Sequence, residues 1–189
     1  AIAMLGIRPI DKADCKIELA DIYLMTGDVW EATLLYSQVE KDNDFKNEPI
    51  GHLAKFKNAK LSYYIGEFDW AKAQLNVLKA ATSKLIANDA MELSLLISDN
   101  VDPVDSSTNA LAMFALADLH YFRNKKDYAL LTLDTLIKVF SYHPIIDDVH
   151  FKKAQILMSM KRFNEADSIF AIIAQTYAYD ILADDALFN

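Results

Sequence analysis

Apolar and polar positions alternate at helical spacing along most of this chain, most clearly in Ile17–Val39, IELADIYLMTGDVWEATLLYSQV. Apolar residues recurring three and four apart mark amphipathic helices. Gly27 interrupts the pattern as the left-handed residue that ends a helix, and Asp28 is expected to cap the next one. The stretch predicts a helix over Asp11–Thr26, with Pro9 and Asp11 as start signals, and a second helix running to Asp42. Lys41–Pro49 is a polar loop. The pattern then restarts as Gly51–Ile65 and Phe68–Ser83 around a Gly66-Glu67 turn, and again as Thr108–Arg123 and Asp127–Phe140. His143-Pro144 breaks the chain before Asp147–Met160 and Asn164–Tyr177. Ile181–Asn189, ILADDALFN, echoes Ile145–Phe151, IIDDVHF, and opens a fifth unit.

Aligning the turns at Gly27, Gly66, Asn124 and Lys161 makes the repeat explicit. Seven residues before each turn stand Ala20, Ala59, Ala117 and Ala154; five after it stand Ala32, Ala71, Ala129 and Ala166. Two antiparallel helices approach closely only where a small side chain sits at the crossing. Bulkier residues follow at Tyr36, Leu75, Leu133 and Phe170, then at Val39, Leu78, Leu136 and Ile173, forming one apolar stripe. The units occupy residues 13–46, 52–85, 110–143 and 147–180. Between the second and third, residues 86–109 break the rhythm with an apolar run, Asn88–Ser98, and a loop, Asp99–Ser107. The run predicts one additional helix with Asp89 helping to cap it. Units two and four match further, Pro49-Ile50 through Ala59 paralleling Pro144-Ile145 through Ala154 without a gap.

With a unit of ~34 residues and small residues at these positions, the chain resembles the tetratricopeptide repeat (TPR) family over nearly its whole length. It departs from that pattern in places. The tyrosine before the turn is present as Tyr23 but becomes Ser62, His120 and Leu157, and the early tryptophan is replaced by Lys16, Lys55, Met113 and His150. The resemblance implies an all-α fold, a right-handed superhelix of antiparallel helix pairs (a TPR-like α-solenoid) with about four repeats plus one extra helix. It implies a protein- or peptide-binding scaffold whose first helices line a concave groove. Carried over position by position, the groove comprises Ile17, Leu24 and Met25, then Phe56, Lys60, Tyr63 and Tyr64, then Phe114, Tyr121 and Phe122, and finally Phe151 and Met158. Asp21 and Asp118 fall at groove positions where they would repel an anion. The divergent units and the ILADDALF ending are similar to TPR proteins of bacterial envelopes that take part in complex assembly, which implies an envelope or periplasmic setting, with the cytoplasm still open. The alternative is a self-associating or spacer element, a homo-oligomer without a peptide ligand.

Composition narrows the partners. Hydrophobic residues make up 53%, ample for a core, while four Gly and four Pro favour long helical runs over a turn-rich β fold. A net charge of -8 repels phosphate backbones, so nucleic acid is not the expected partner. No run approaches the ~18–20 apolar residues that span a bilayer, so no membrane insertion is expected. Both ends read as cut from a longer parent. The single Cys15 cannot pair internally, and no Cys/His cluster has zinc spacing. In HPIIDDVH, His143–His150, the aspartates fit a helix start better than a metal site. His120, in the place of a packing tyrosine, fits a core histidine. With no phosphate loop, HExxH or nucleophile elbow in the sequence, neither catalysis nor a cofactor is expected.

Overall fold

A computed structural model describes residues 6–81, 84–101 and 107–176. Among them there are nine helices and no strand. The chain divides at Ser98 and Asp99 into two compact units. The first holds α1 (Pro9–Thr26), α2 (Val29–Glu40), α3 (Pro49–Tyr64), α4 (Phe68–Ala81) and α5 (Lys84–Asp99). The second holds α6 (Asn109–Phe122), α7 (Lys126–Val139), α8 (Ile146–Ser159) and α9 (Phe163–Thr176). Consecutive helices pack on one another in each unit: α1 on α2, α2 on α3, α3 on α4, and likewise α6 through α9. In the first unit α1 also touches α3. None of the described helices is long and apolar enough to cross a membrane.

Four helical hairpins share one turn. Gly27, Gly66, Asn124 and Lys161 all have positive φ, at 110°, 84°, 56° and 62°. The N–H of the next residue reaches back five positions in every case: Asp28 to Tyr23, Glu67 to Ser62, Lys125 to His120 and Arg162 to Leu157, at 2.8–2.9 Å. This bond satisfies a carbonyl that the helix end would otherwise orphan. The alanine five residues after each turn then donates to the carbonyl that starts the second helix. All eight alanines of the sequence pattern are fully buried. The stripe behind them is buried too, from Tyr36, Leu75, Leu133 and Phe170 to Val39, Leu78, Leu136 and Ile173. Burying each such large side chain contributes about 1.5–3 kcal/mol.

Several local expectations change. Pro9 and Pro49 occupy the first helical turn, where a missing N–H costs nothing, so α1 and α3 both begin two residues early. Gly51 lies buried under the preceding loop; a Cβ there would stand 2.0 Å from the Phe45 carbonyl oxygen. Asp28 holds the N-cap position of α2, but its carboxylate accepts the Thr26 hydroxyl at 2.8 Å and makes no cap bond. The extra helix starts at Lys84, so Asp89 sits inside it and caps nothing. The N-cap of α8 is Ile145, with Asp147 and Asp148 in the first turn, favourable against the helix dipole. His143 Nδ1 accepts the Ile145 N–H at 3.2 Å. His120 is half-buried, its ring 5.9 Å from that of Tyr128. The expected fifth unit at 181–189 lies outside the described residues.

Candidate functional site

The residues expected to line a concave groove separate by burial. Ile17, Leu24, Tyr63, Tyr64 and Phe114 are interior, each under a tenth exposed. The reason is plain for α3, which is packed by α1, α2 and α4. The Tyr63 ring lies 5.7 Å from Tyr64 and 5.9 Å from Phe68. Met25 is exposed, while Phe56 and Lys60 are half-buried, with Lys60 Nζ 5.9 Å over the Tyr64 ring. In the second unit Tyr121, Phe122, Phe151 and Met158 are half-buried. Phe151 stands edge-on to Phe170 at 6.0 Å, and Lys152 Nζ lies 5.5 Å over Tyr121. The open part of this lining in the first unit is thus Met25, Phe56 and Lys60.

The two aspartates expected to repel an anion are both paired. Asp21 meets Lys57 at 2.6 Å across α1 and α3, and Asp118 meets Lys152 at 2.6 Å across α6 and α8. These are equivalent positions of the two hairpin pairs. In the first unit the Tyr36 hydroxyl also donates to Asp21. Burial, and then that bond to a carboxylate, push the Tyr36 phenol well above the ordinary tyrosine range. The Asp21 carboxylate therefore ties three helices together, a structural role.

A larger opening lies elsewhere, between α2, α3 and α4. It is a groove of about 770 Å³ flanked by Trp30 and Trp70, the two tryptophans of the chain. They are 78% and 60% exposed, unusual for so large an apolar surface, and Ile65 and Val77 extend the apolar wall. Polar groups also line it. Asn58 is buried and donates to Ser37 Oγ and Glu40 Oε2, both at 3.2 Å. Gln74 is 8% exposed, and its Nε2 is buried without a hydrogen-bond partner. A buried amide donor left unpaired costs about 1–3 kcal/mol. The charged groups at the groove, Glu40, Glu67, Lys41 and Lys55, balance in sign.

No protein-family model and no curated protein matches this chain.

The second unit has an opening at the equivalent place, of about 510 Å³, between α7, α8 and α9. Its lining is different chemistry on the same frame. Asp127 and Glu165 stand where the tryptophans stand, and Leu157 and Ile169 replace Ser62 and Gln74. Lys153 donates to Asp134 at 2.6 Å where Asn58 donates to Ser37. Arg162 grips Glu165 with two 2.6 Å bonds. This opening is lined by two ion pairs, Lys153–Asp134 and Arg162–Glu165, and by Asp127.

The tryptophan groove is absent from the sequence-level expectations, which followed first-helix positions. A signal was present. Both tryptophans fall in the first turn of a second helix, and Ser62 and Gln74 are polar at repeat positions where the last unit is apolar.

Proposed function

We propose that this chain is a protein- or peptide-binding scaffold of TPR-like hairpins, winding as a right-handed solenoid, and that it catalyses no reaction of its own. The observation that carries the reading is the groove between α2, α3 and α4, where two exposed indoles and an apolar wall stand beside buried amides. Large exposed apolar patches rimmed by polar groups mark interaction sites, and tryptophan is among the residues that dominate binding energies. The four like hairpins support the repeat reading, because each closes on the same turn and buries alanines at its helix crossing. The resemblance to envelope TPR proteins adds complex assembly as the setting.

The test is a selection from a random-sequence peptide library displayed on phage, followed by titration of the selected peptides. Binding should weaken at least about thirtyfold in the Trp30→Ala/Trp70→Ala double variant, the equivalent of the ≥ 2 kcal/mol of a hot spot. An empty selection, together with a mass that grows with concentration in light scattering, would replace this reading with self-association.

A further inference from the structure

Helix α7, in the second unit, keeps an apolar face open to solvent. Tyr128, Leu131 and Val139 are each more than three-fifths exposed, and Tyr142, in the turn just past the helix end, is wholly exposed. Thr135, also exposed, completes the row. At 3.6 residues per turn the four helical positions fall within about 80° of arc, so they form one stripe. The hydroxyls of Thr132 and Thr135 donate back to the Tyr128 and Leu131 carbonyls at 2.8 Å, so covering these threonines strands no donor. The repeat frame does not demand such a stripe. Counted from the turns, the same exposed places carry Glu31, Leu34 and Gln38 on α2 and Glu165, Ser168 and Ile172 on α9. On α4 they carry Trp70, Ala73 and Val77, which belong to the tryptophan groove.

We propose that this stripe docks on the same stripe of a second copy of the chain, the two α7 helices pairing antiparallel about a two-fold axis at Thr135.

The order of residues selects that occupant. A two-fold interface requires one patch to match itself, residue i meeting j where j meets i. The stripe reads the same from either end: Leu131 and Val139 each lie four residues from Thr135, and Tyr128 and Tyr142 each lie seven. In an antiparallel pair tyrosine meets tyrosine and leucine meets valine. The short threonine meets its own copy at the crossing, where close approach needs a small side chain. Charge fixes the direction. A parallel pair would set Lys125 against Lys125 and Lys138 against Lys138. The antiparallel pair separates them and brings Lys125 to the carbonyl end of the partner helix, where a cation is favoured. Area fixes the strength. The two tyrosines expose roughly 300 Å², at ~200 Å² for a whole aromatic side chain. With Leu131 and Val139 the stripe stays below the ~800 Å² that each side of a standard interface covers, so the dimer is a weak one, at the micromolar end of the range.

The experiment is sedimentation equilibrium on the whole chain, from about 1 µM to 1 mM. The mass should rise from that of one chain toward that of two and no further. Leu131→Lys and Val139→Glu should each raise the dissociation constant about tenfold or more, by burying an unpaired charge. Both positions are exposed, so the monomer fold should survive, with an unchanged circular dichroism spectrum. The Leu131→Lys/Val139→Glu double variant should recover most of the loss, because the antiparallel register sets each lysine against the partner's glutamate. Within one helix the two stand eight residues apart and cannot pair. In a Cys15→Ser background, Thr135→Cys should oxidise to a disulfide-linked dimer, whereas Gln38→Cys, at the equivalent place on α2, should not. A mass of one chain throughout the range would overturn the proposal, as would a double variant no better than either single one. Association kept in Leu131→Lys but lost in Trp30→Ala/Trp70→Ala would overturn it too, by placing the second copy in the tryptophan groove. Peptide selection by that groove, which lies in the first unit, is a separate result and stands or falls by itself.

Discussion

Replacing Ala59 by leucine tests the packing that defines every hairpin. Ala59 on α3 and Ala71 on α4 are both fully buried in the second hairpin. Leucine adds three carbons. With room for them, burial would stabilise the fold by about 2 kcal/mol, at ~0.8 kcal/mol per methylene. The alanine side chain is wholly covered, so that room is lacking, and the added atoms must push the helices apart or leave their rotamers. Overpacking of this kind costs about 1–3 kcal/mol, so strain outweighs burial. In a chain of this length a melting temperature moves roughly 2–4 °C per kcal/mol, so the expected fall is about 2–12 °C. Scanning calorimetry measures it, and urea titration with an unchanged slope confirms a stability effect rather than a change of unfolded state. Ala112→Leu is the control: Ala112 is exposed on α6, and its substitution should stay within about 0.5 kcal/mol. Equal melting temperatures for the two variants and the parent would show that Ala59 does not mark a helix crossing, and the alanine argument would fail with it.

The turns give predictions of opposite sign. Gly66 has φ +84° with nothing within 4 Å of an added Cβ, so Gly66→Ala should destabilise by about 1–2 kcal/mol from backbone strain alone. Lys161 holds φ 62° with a full side chain, so Lys161→Gly should stabilise by about 0.5–1 kcal/mol in urea titration. The Asp21–Lys57 pair is mostly buried, between the regimes of surface and interior ion pairs, and a double-mutant cycle with Asp21→Asn and Lys57→Met should return a coupling of about 1–2 kcal/mol. His150 is held below the ordinary histidine value, first by burial and then by Lys153. The unfolded chain therefore takes the proton first, and stability is full above the ordinary value of 6.5 and falls as the pH drops through it toward the folded value. Melting temperatures across pH 7.5 to 5.5, in about half-unit steps, should fall less steeply in His150→Gln.

Helix existence and the hairpin turns were legible because they rest on local chemistry: apolar spacing, small residues at crossings and a left-handed residue at each turn. Boundaries were less so. Helix α5 begins four residues before its expected start because Lys84–Ala87 contains no breaker, which leaves Asp89 inside the helix. The candidate site was less legible still. Spacing identifies the apolar face of a helix but not whether a neighbour covers it, so Ile17, Leu24, Tyr63, Tyr64 and Phe114 share the expected groove positions with exposed Met25 yet are interior. Exposed tryptophans on second helices break no periodicity, and the sequence marks them only by their shared place in the first turn and by polar Ser62 and Gln74 where the last unit is apolar. They stand out only once α2, α3 and α4 are seen to leave a groove between them.

Comparison of the two hairpin pairs separates what builds the frame from what gives it chemistry. The fully buried alanines, the turn bonds reaching back five residues, and an Asp–Lys pair joining the first helices are the same in both. Each is fixed by packing or by backbone hydrogen bonding, so substituting it disturbs the hairpin itself. The linings share no such constraint. Trp30 and Trp70 against Asp127 and Glu165, or Gln74 against Ile169, differ without altering the turn or the crossing. The consequence is chemical selectivity on a common backbone. An uncharged segment entering the second opening would have to strip water from Lys153, Asp134, Arg162 and Glu165 without supplying partners, which is unfavourable. Entering the first, it covers exposed indole surface. The difference between those two energies, more than the shape they share, decides which opening such a ligand would occupy.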